Sequence, residues 1–116
     1  MLAADIDHFA AAAIAANAAL NGTEIAITTA DVVGTADPLW DVITAGDVCY
    51  EQPMAGRVAA WLRSLAHSGR VVMLGDPGRA YLPVDGLCER GRYLVPTSRE
   101  LEDRDSHEGV VWRVTA

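Results

Sequence analysis

The sequence predicts an α/β fold, an open sheet with a parallel body and an antiparallel hairpin at its carboxyl end. Three observations predict it. Short apolar, β-branched runs alternate with helical stretches over residues 1–75, the order that builds parallel strands joined by crossover helices. Within that order, Val71-Val72-Met73-Leu74 is apolar on both faces, as in a strand covered on two sides. Beyond the turn signal Asp76-Pro77-Gly78 the rhythm changes, and two strand-like segments close the chain at residues 92–96 and 109–114.

Each element has its own local reason. A short apolar start at residues 1–4 reads as a strand, and Asp7 then supplies an N-cap for a helix that Asn21-Gly22 stops. Eight of the ten residues 10–19 are alanine, the best helix former and the smallest side chain, so this helix forms readily and can lie close to a sheet. Residues 24–30 alternate and are rich in β-branched side chains, which predicts a strand. After a loop with Gly34 and Asp37-Pro38, residues 41–47 predict another strand with small Ala45 and Gly46 before its acidic end. Glu51-Gln52-Pro53 opens the next helix, with Pro53 suited to a first turn and Val58, Trp61, Leu62 and Leu65 as the apolar stripe. Ser68-Gly69 ends it, residues 70–75 form the buried strand, and a weaker helix is expected near residues 83–90.

Composition narrows the function classes. A chain of 116 residues, 51% apolar, builds one core, so residues 1–116 read as a single domain or a piece of one. The net charge of −7 gives no basic stripe to displace counterions, and a nucleic-acid partner is not expected. Cys49 and Cys88 lack metal-ligand or disulfide-framework spacing, which points to a reducing, cytoplasmic setting. Residues 9–20 are too short and too alanine-rich to span a bilayer, and Asp5 and Asp7 replace the basic start of a secretory signal, so no membrane partner is expected. His8, His67 and His107 have no spacing that suggests a metal or a charge relay.

Ligands of open α/β sheets collect at the carboxyl ends of the strands. Asp5, Asp31, Asp47 and Asp76 each follow a predicted strand. Asp is also common in turns and at helix N-caps, yet four such positions in register make the strand ends the place to look. A phosphoacceptor receiver module would share this acidic rim, but it requires a lysine, and the chain has none.

Several segments carry a resemblance. Ala4-Asp5-Ile6-Asp7, the helix end Asn17-Ala18-Ala19-Leu20-Asn21-Gly22, Gly46-Asp47-Val48-Cys49-Tyr50-Glu51, and Gly75-Asp76-Pro77-Gly78-Arg79 resemble the class I, seven-strand S-adenosylmethionine-dependent methyltransferases that modify lysines of the electron transfer flavoprotein β subunit. The closing Thr97-Ser98-Arg99-Glu100 and Val110-Val111-Trp112-Arg113 are similar to that family's final hairpin. The resemblance implies a partial Rossmann-like sheet from the family's second strand onward, S-adenosylmethionine as cofactor, and a protein substrate such as that β subunit. It implies that Asp5 accepts from the ribose hydroxyls, that Ile6 lies against the adenine, and that Asp31 accepts from the adenine amino group. Asp47 and Tyr50 match the motif where methyl donor and nucleophile meet: Asp47 would orient the amine and Tyr50 would pack beside the lysine stem or the donor. Without the resemblance, Asp47 reads equally as a helix cap, Tyr50 as a half-buried aromatic, and Asp76-Pro77-Gly78-Arg79 as a structural turn. Cys49 reads as a small apolar filler.

One departure from the family stands out: no GxGxG run occurs in the 116 residues, so the strand and glycine-rich turn expected before Asp5 are missing. That strand would lie between those ending at Asp5 and Asp47. Its loss predicts two unpaired edges, self-association, and an isolated chain that binds the donor weakly and is inactive. Methylation of another protein or of a small nitrogen heterocycle such as nicotinamide, and a non-catalytic interaction fragment of the same fold, are the alternatives.

Overall fold

The computed structural model describes residues 1–83, 85–96 and 106–115. They fall into two compact units, Met1–Thr35 and Ala36–Ala116. Residues 97–100, expected to belong to the final hairpin, lie outside the described residues, as do residues 101–105.

The first unit is one βαβ turn: β1 (Leu2–Ala4), α1 (His8–Leu20) and β2 (Ala26–Thr28). β1 and β2 are parallel, with Ala3 opposite Ile27. β2 is shorter than the strand expected at residues 24–30. Asp7 caps α1 as its position predicts, its side chain accepting from the Phe9 amide at 2.9 Å. The helix closes with the Gly22 amide bound to Ala19 O at 3.2 Å and the Thr23 amide to Ala18 O at 3.0 Å, a pairing that needs the left-handed backbone Gly22 supplies at φ 64. Alanine explains why α1 forms and also why it holds little: none of its residues is buried, and Phe9 is 88% exposed.

The second unit contains the core. β3 (Val42–Gly46), α2 (Met54–His67) and β4 (Val71–Asp76) form a second parallel βαβ turn, and β5 (Leu87–Pro96) and β6 (Ser106–Val114) add an antiparallel hairpin. The sheet order is β3-β4-β6-β5, with Gly46 opposite Gly75 between the parallel strands. α2 buries Ala55, Val58, Leu62 and Leu65, the stripe that the apolar spacing predicts, while Trp61 is only partly covered. Against it lie Val72 and Leu74, every second residue of β4. Burying a leucine or valine side chain in such a layer is worth roughly 1.5–3 kcal/mol, so these residues hold the unit together. Pro53 stands at the N-cap, one position earlier than a first-turn proline, with no side-chain bond of its own. Gln52 Oε1 instead accepts from the Gly56 amide at 3.1 Å.

The weak helix expected near residues 83–90 is not formed. Residues from Leu87 onward are strand, with Leu87 opposite Val114 and Cys88 opposite Arg113, and Gly86 turns the chain into it at φ 77. Pairing with β6 satisfies every second backbone group along this stretch, which outweighs a modest local helical preference. The hairpin is correspondingly longer than its two expected strands. A register shift between Glu89 and Gly91 marks a bulge. At the other end of the unit, Arg70 ties residues 37–40 to the start of β4. Its Nε donates to Trp40 O at 2.9 Å and a terminal nitrogen donates to Asp37 O at 2.9 Å.

Candidate functional site

In the first unit, the expected nucleoside-binding residues sit at the carboxyl ends of two neighbouring parallel strands. Asp5 follows β1, and its amide extends the ladder by donating to Thr28 O at 3.1 Å. Its Oδ1 accepts from the Asp7 amide at 2.9 Å, a local loop that fixes the direction of the carboxylate. Ile6 between them is 64% exposed, so its side chain offers an open apolar surface. Beyond β2, Asp31 Oδ1 accepts from the Val33 amide at 3.1 Å, the same two-residue turn again. Asp7 is the helix cap.

In the second unit, β3 and β4 bring their own acidic ends together. Parallel pairing aligns Gly46 with Gly75, so the residues that follow, Asp47 just beyond β3 and Asp76 at the last position of β4, come side by side. Asp47 takes a left-handed backbone at φ 48, uncommon for a residue with a side chain although Asp tolerates it better than most. Its amide still donates to Gly75 O at 2.9 Å. Its carboxylate meets Arg79 along two parallel bonds, Nε to Oδ1 at 2.7 Å and a terminal nitrogen to Oδ2 at 2.9 Å. Asp47 is thus not the cap of the following helix, whose N-cap is Pro53, but a half-exposed acid paired with Arg79.

Asp76 is the buried member, 4% exposed. Its Oδ2 accepts from the Gly78 amide at 2.7 Å and the Arg79 amide at 2.9 Å, so the Asp76-Pro77-Gly78-Arg79 turn wraps its own carboxylate. Oδ1 is buried with no hydrogen-bond partner among the described residues, an arrangement whose desolvation is costly. Cys49 lies in the interior at 1% exposure. Its thiol is pushed above its ordinary value by burial first, then by the charges of Asp76 and Asp47. A protonated, inaccessible thiol is a poor nucleophile, which agrees with its reading as a filler. Tyr50, by contrast, is half exposed.

Beneath these residues a hollow of about 10 Å³ is lined by Cys49, Val58, Leu62, Leu74, Leu87 and Val114, among others. It is a packing gap with room for about one water, far too small for a cofactor. No group of three or more metal-ligating side chains occurs among the described residues. The feature that sequence reasoning missed is the pairing of Arg79 with Asp47. Its only signal was topological: two parallel strands joined by one helix place their carboxyl ends next to each other, and an arginine stands three residues past the second end.

No family model matches the chain. Curated relatives do. The chain is 30% identical to the electron transfer flavoprotein beta subunit lysine methyltransferase of Danio rerio, over 97% of its own length and 46% of that protein. With the Xenopus laevis protein of the same name the identity is 35%, over 97% of the chain and 48% of the relative. The chain therefore spans about half the length of the curated relatives it matches. Among solved structures, it is similar to the N-methyltransferase NodS from Bradyrhizobium japonicum WM9 in complex with S-adenosyl-L-homocysteine, with a TM-score of 0.59 and 13% identity, over 99% of the chain and 66% of NodS. That likeness establishes a methyltransferase-type fold.

Proposed function

Because the chain is a homologue of the electron transfer flavoprotein beta subunit lysine methyltransferases over about half of their length, we propose that it is part of an S-adenosylmethionine-dependent protein-lysine N-methyltransferase. The observation that carries this reading is the alignment itself, 30–35% identity across 97% of the chain. On this reading residues 1–116 belong to one methyltransferase domain, and the substrate is a basic segment of a protein, the electron transfer flavoprotein β subunit being the first to try. Cysteines left free rather than paired accord with a reducing, cytoplasmic setting.

The residues present fit the nucleoside half of the cofactor. Asp5 and Asp31 are strand-end carboxylates of adjacent parallel strands, each already oriented by a backbone amide two residues on. A carboxylate held in this way can accept from the paired hydroxyls of a ribose or from an adenine amino group, and Ile6 gives the apolar face a purine needs. When bound, S-adenosylmethionine supplies a sulfonium methyl group for in-line displacement. The protein aligns the amine and excludes water. Asp47 accepts a hydrogen bond from the substrate amine, and the exposed ring of Tyr50 covers the aliphatic stem of the lysine. The amine must be neutral to attack.

The 116-residue chain by itself binds the donor weakly, does not turn over, and associates through its strand edges. Among the described residues β1 pairs only with β2 and β3 only with β4, which leaves each strand with an open side. Calorimetry on this polypeptide checks that part, and a micromolar affinity for S-adenosylmethionine overturns it. For the enzyme reading, the 116 residues replace the matching segment of the Danio rerio protein, labelled donor is supplied, and mass spectrometry identifies what gains methyl groups. Methylated lysine on a protein is the expected result. Label in nicotinamide or a similar heterocycle, or in nothing, overturns it in favour of a small-molecule enzyme or a non-catalytic fragment.

A further inference from the structure

The geometry points to Arg79 as the positioning residue for Asp47, acting through a relay that begins at the buried carboxylate of Asp76. This rests on the reading of Asp47 as the group that receives the substrate amine.

The relay has three fixed joints. Burial and strand pairing immobilise Asp76 at the end of β4. Asp76 Oδ2 then holds the Gly78 and Arg79 amides, which sets where the Arg79 side chain departs. The guanidinium finally reaches Asp47 as a two-pronged fork at 2.7 and 2.9 Å. A fork of this kind fixes the plane of a carboxylate as well as its position, which a single donor does not.

Stability is a poor explanation for the pair. Both side chains are nearly half exposed, 46% for Arg79 and 48% for Asp47, and ion pairs so placed contribute little to folding. Asp47 is also held in a left-handed backbone, an unfavourable conformation that aims its side chain at Arg79. Each carboxylate oxygen has two acceptor directions. The fork takes one on each oxygen and so fixes the plane in which the carboxylate lies. Misplacement of a reacting group by about 1 Å can lower a rate by up to about 10²-fold, so the fork acts on kcat.

The test uses the 116 residues grafted into the Danio rerio enzyme, with Arg79→Lys, Asp47→Asn and the double variant compared by kcat and KM. Lysine keeps the charge and loses the fork. Arg79→Lys is expected to lower kcat about tenfold with the KM for the donor unchanged, while circular dichroism and melting temperature stay as in the parent. In the Asp47→Asn background the same replacement is expected to cost nothing further, because two residues acting as a unit are non-additive. Losses that multiply, or an Arg79→Lys variant with parental kcat, overturn the relay while the role of Asp47 stands. Parental kcat in Asp47→Asn alone overturns the role of Asp47 and the relay with it. A second measurement needs no activity: in the 116-residue chain, the Arg79 Nε–H resonance is expected to exchange more slowly than in Asp47→Asn, where its acceptor is altered. An Nε–H that exchanges equally fast in both overturns the relay.

Discussion

Cys49 and Asp76 are electrostatic neighbours in the interior of the second unit, 1% and 4% exposed. Burial disfavours the thiolate and the Asp76 charge disfavours it further, so the folded thiol ionises at a higher pH than the unfolded one. Above the ordinary thiol value the unfolded chain loses a proton that the folded chain keeps, so stability falls as pH rises from that value towards the raised one. Urea unfolding of the 116-residue chain between pH 7 and 10 is expected to show this alkaline loss, and Cys49→Ala to reduce it. A slope unchanged by Cys49→Ala refutes the assignment. The exposed Cys88 serves as the internal control: in the folded state it is expected to react with iodoacetamide while the buried Cys49 is not.

Arg70 is expected to be the side chain whose loss most loosens residues 37–40. It donates to two backbone carbonyls, at Trp40 and Asp37, and to Ser68 Oγ at 2.6 Å. Hydrogen bonds from a charged donor are worth about 1.5–3 kcal/mol, so Arg70→Ala should destabilise the second unit by about that much in a urea titration. Arg70→Lys should recover less than half, because one ammonium cannot copy a planar fork that serves three acceptors.

Leu62 and Phe9 make opposite predictions from similar hydrophobicity. Leu62 is 1% exposed under β4, and Leu62→Ala should cost about 2–5 kcal/mol. Phe9→Ala on α1 should change the stability of this chain by no more than about 0.5 kcal/mol. Chemical denaturation of both variants checks the pair, and a large loss at Phe9 would show that α1 is covered.

Asp5 and Asp7 separate by assay although they are two residues apart. Asp7→Ala removes the cap of α1 and should raise amide exchange along the helix, at a cost of about 1 kcal/mol. Asp5→Ala should leave that exchange nearly unchanged and instead weaken nucleoside binding in the grafted enzyme. Equal effects of both variants on binding would assign Asp5 a structural part only.

Local signals determined much of this protein. Asp7, Asn21-Gly22 and Ser68-Gly69 marked helix ends because capping is chemistry between near neighbours, and the Val58-Leu62-Leu65 stripe marked the core because helical spacing is a local property. The resemblance to the methyltransferase family was also readable in one dimension, and the curated relatives agree with it. What only the tertiary structure decided depends on groups distant along the chain. Residues 87–90 became strand because β6 offered partners. Asp47 met Arg79, 32 residues away, because parallel pairing of β3 with β4 carries two chain ends to one place, and no local preference of either residue encodes that meeting.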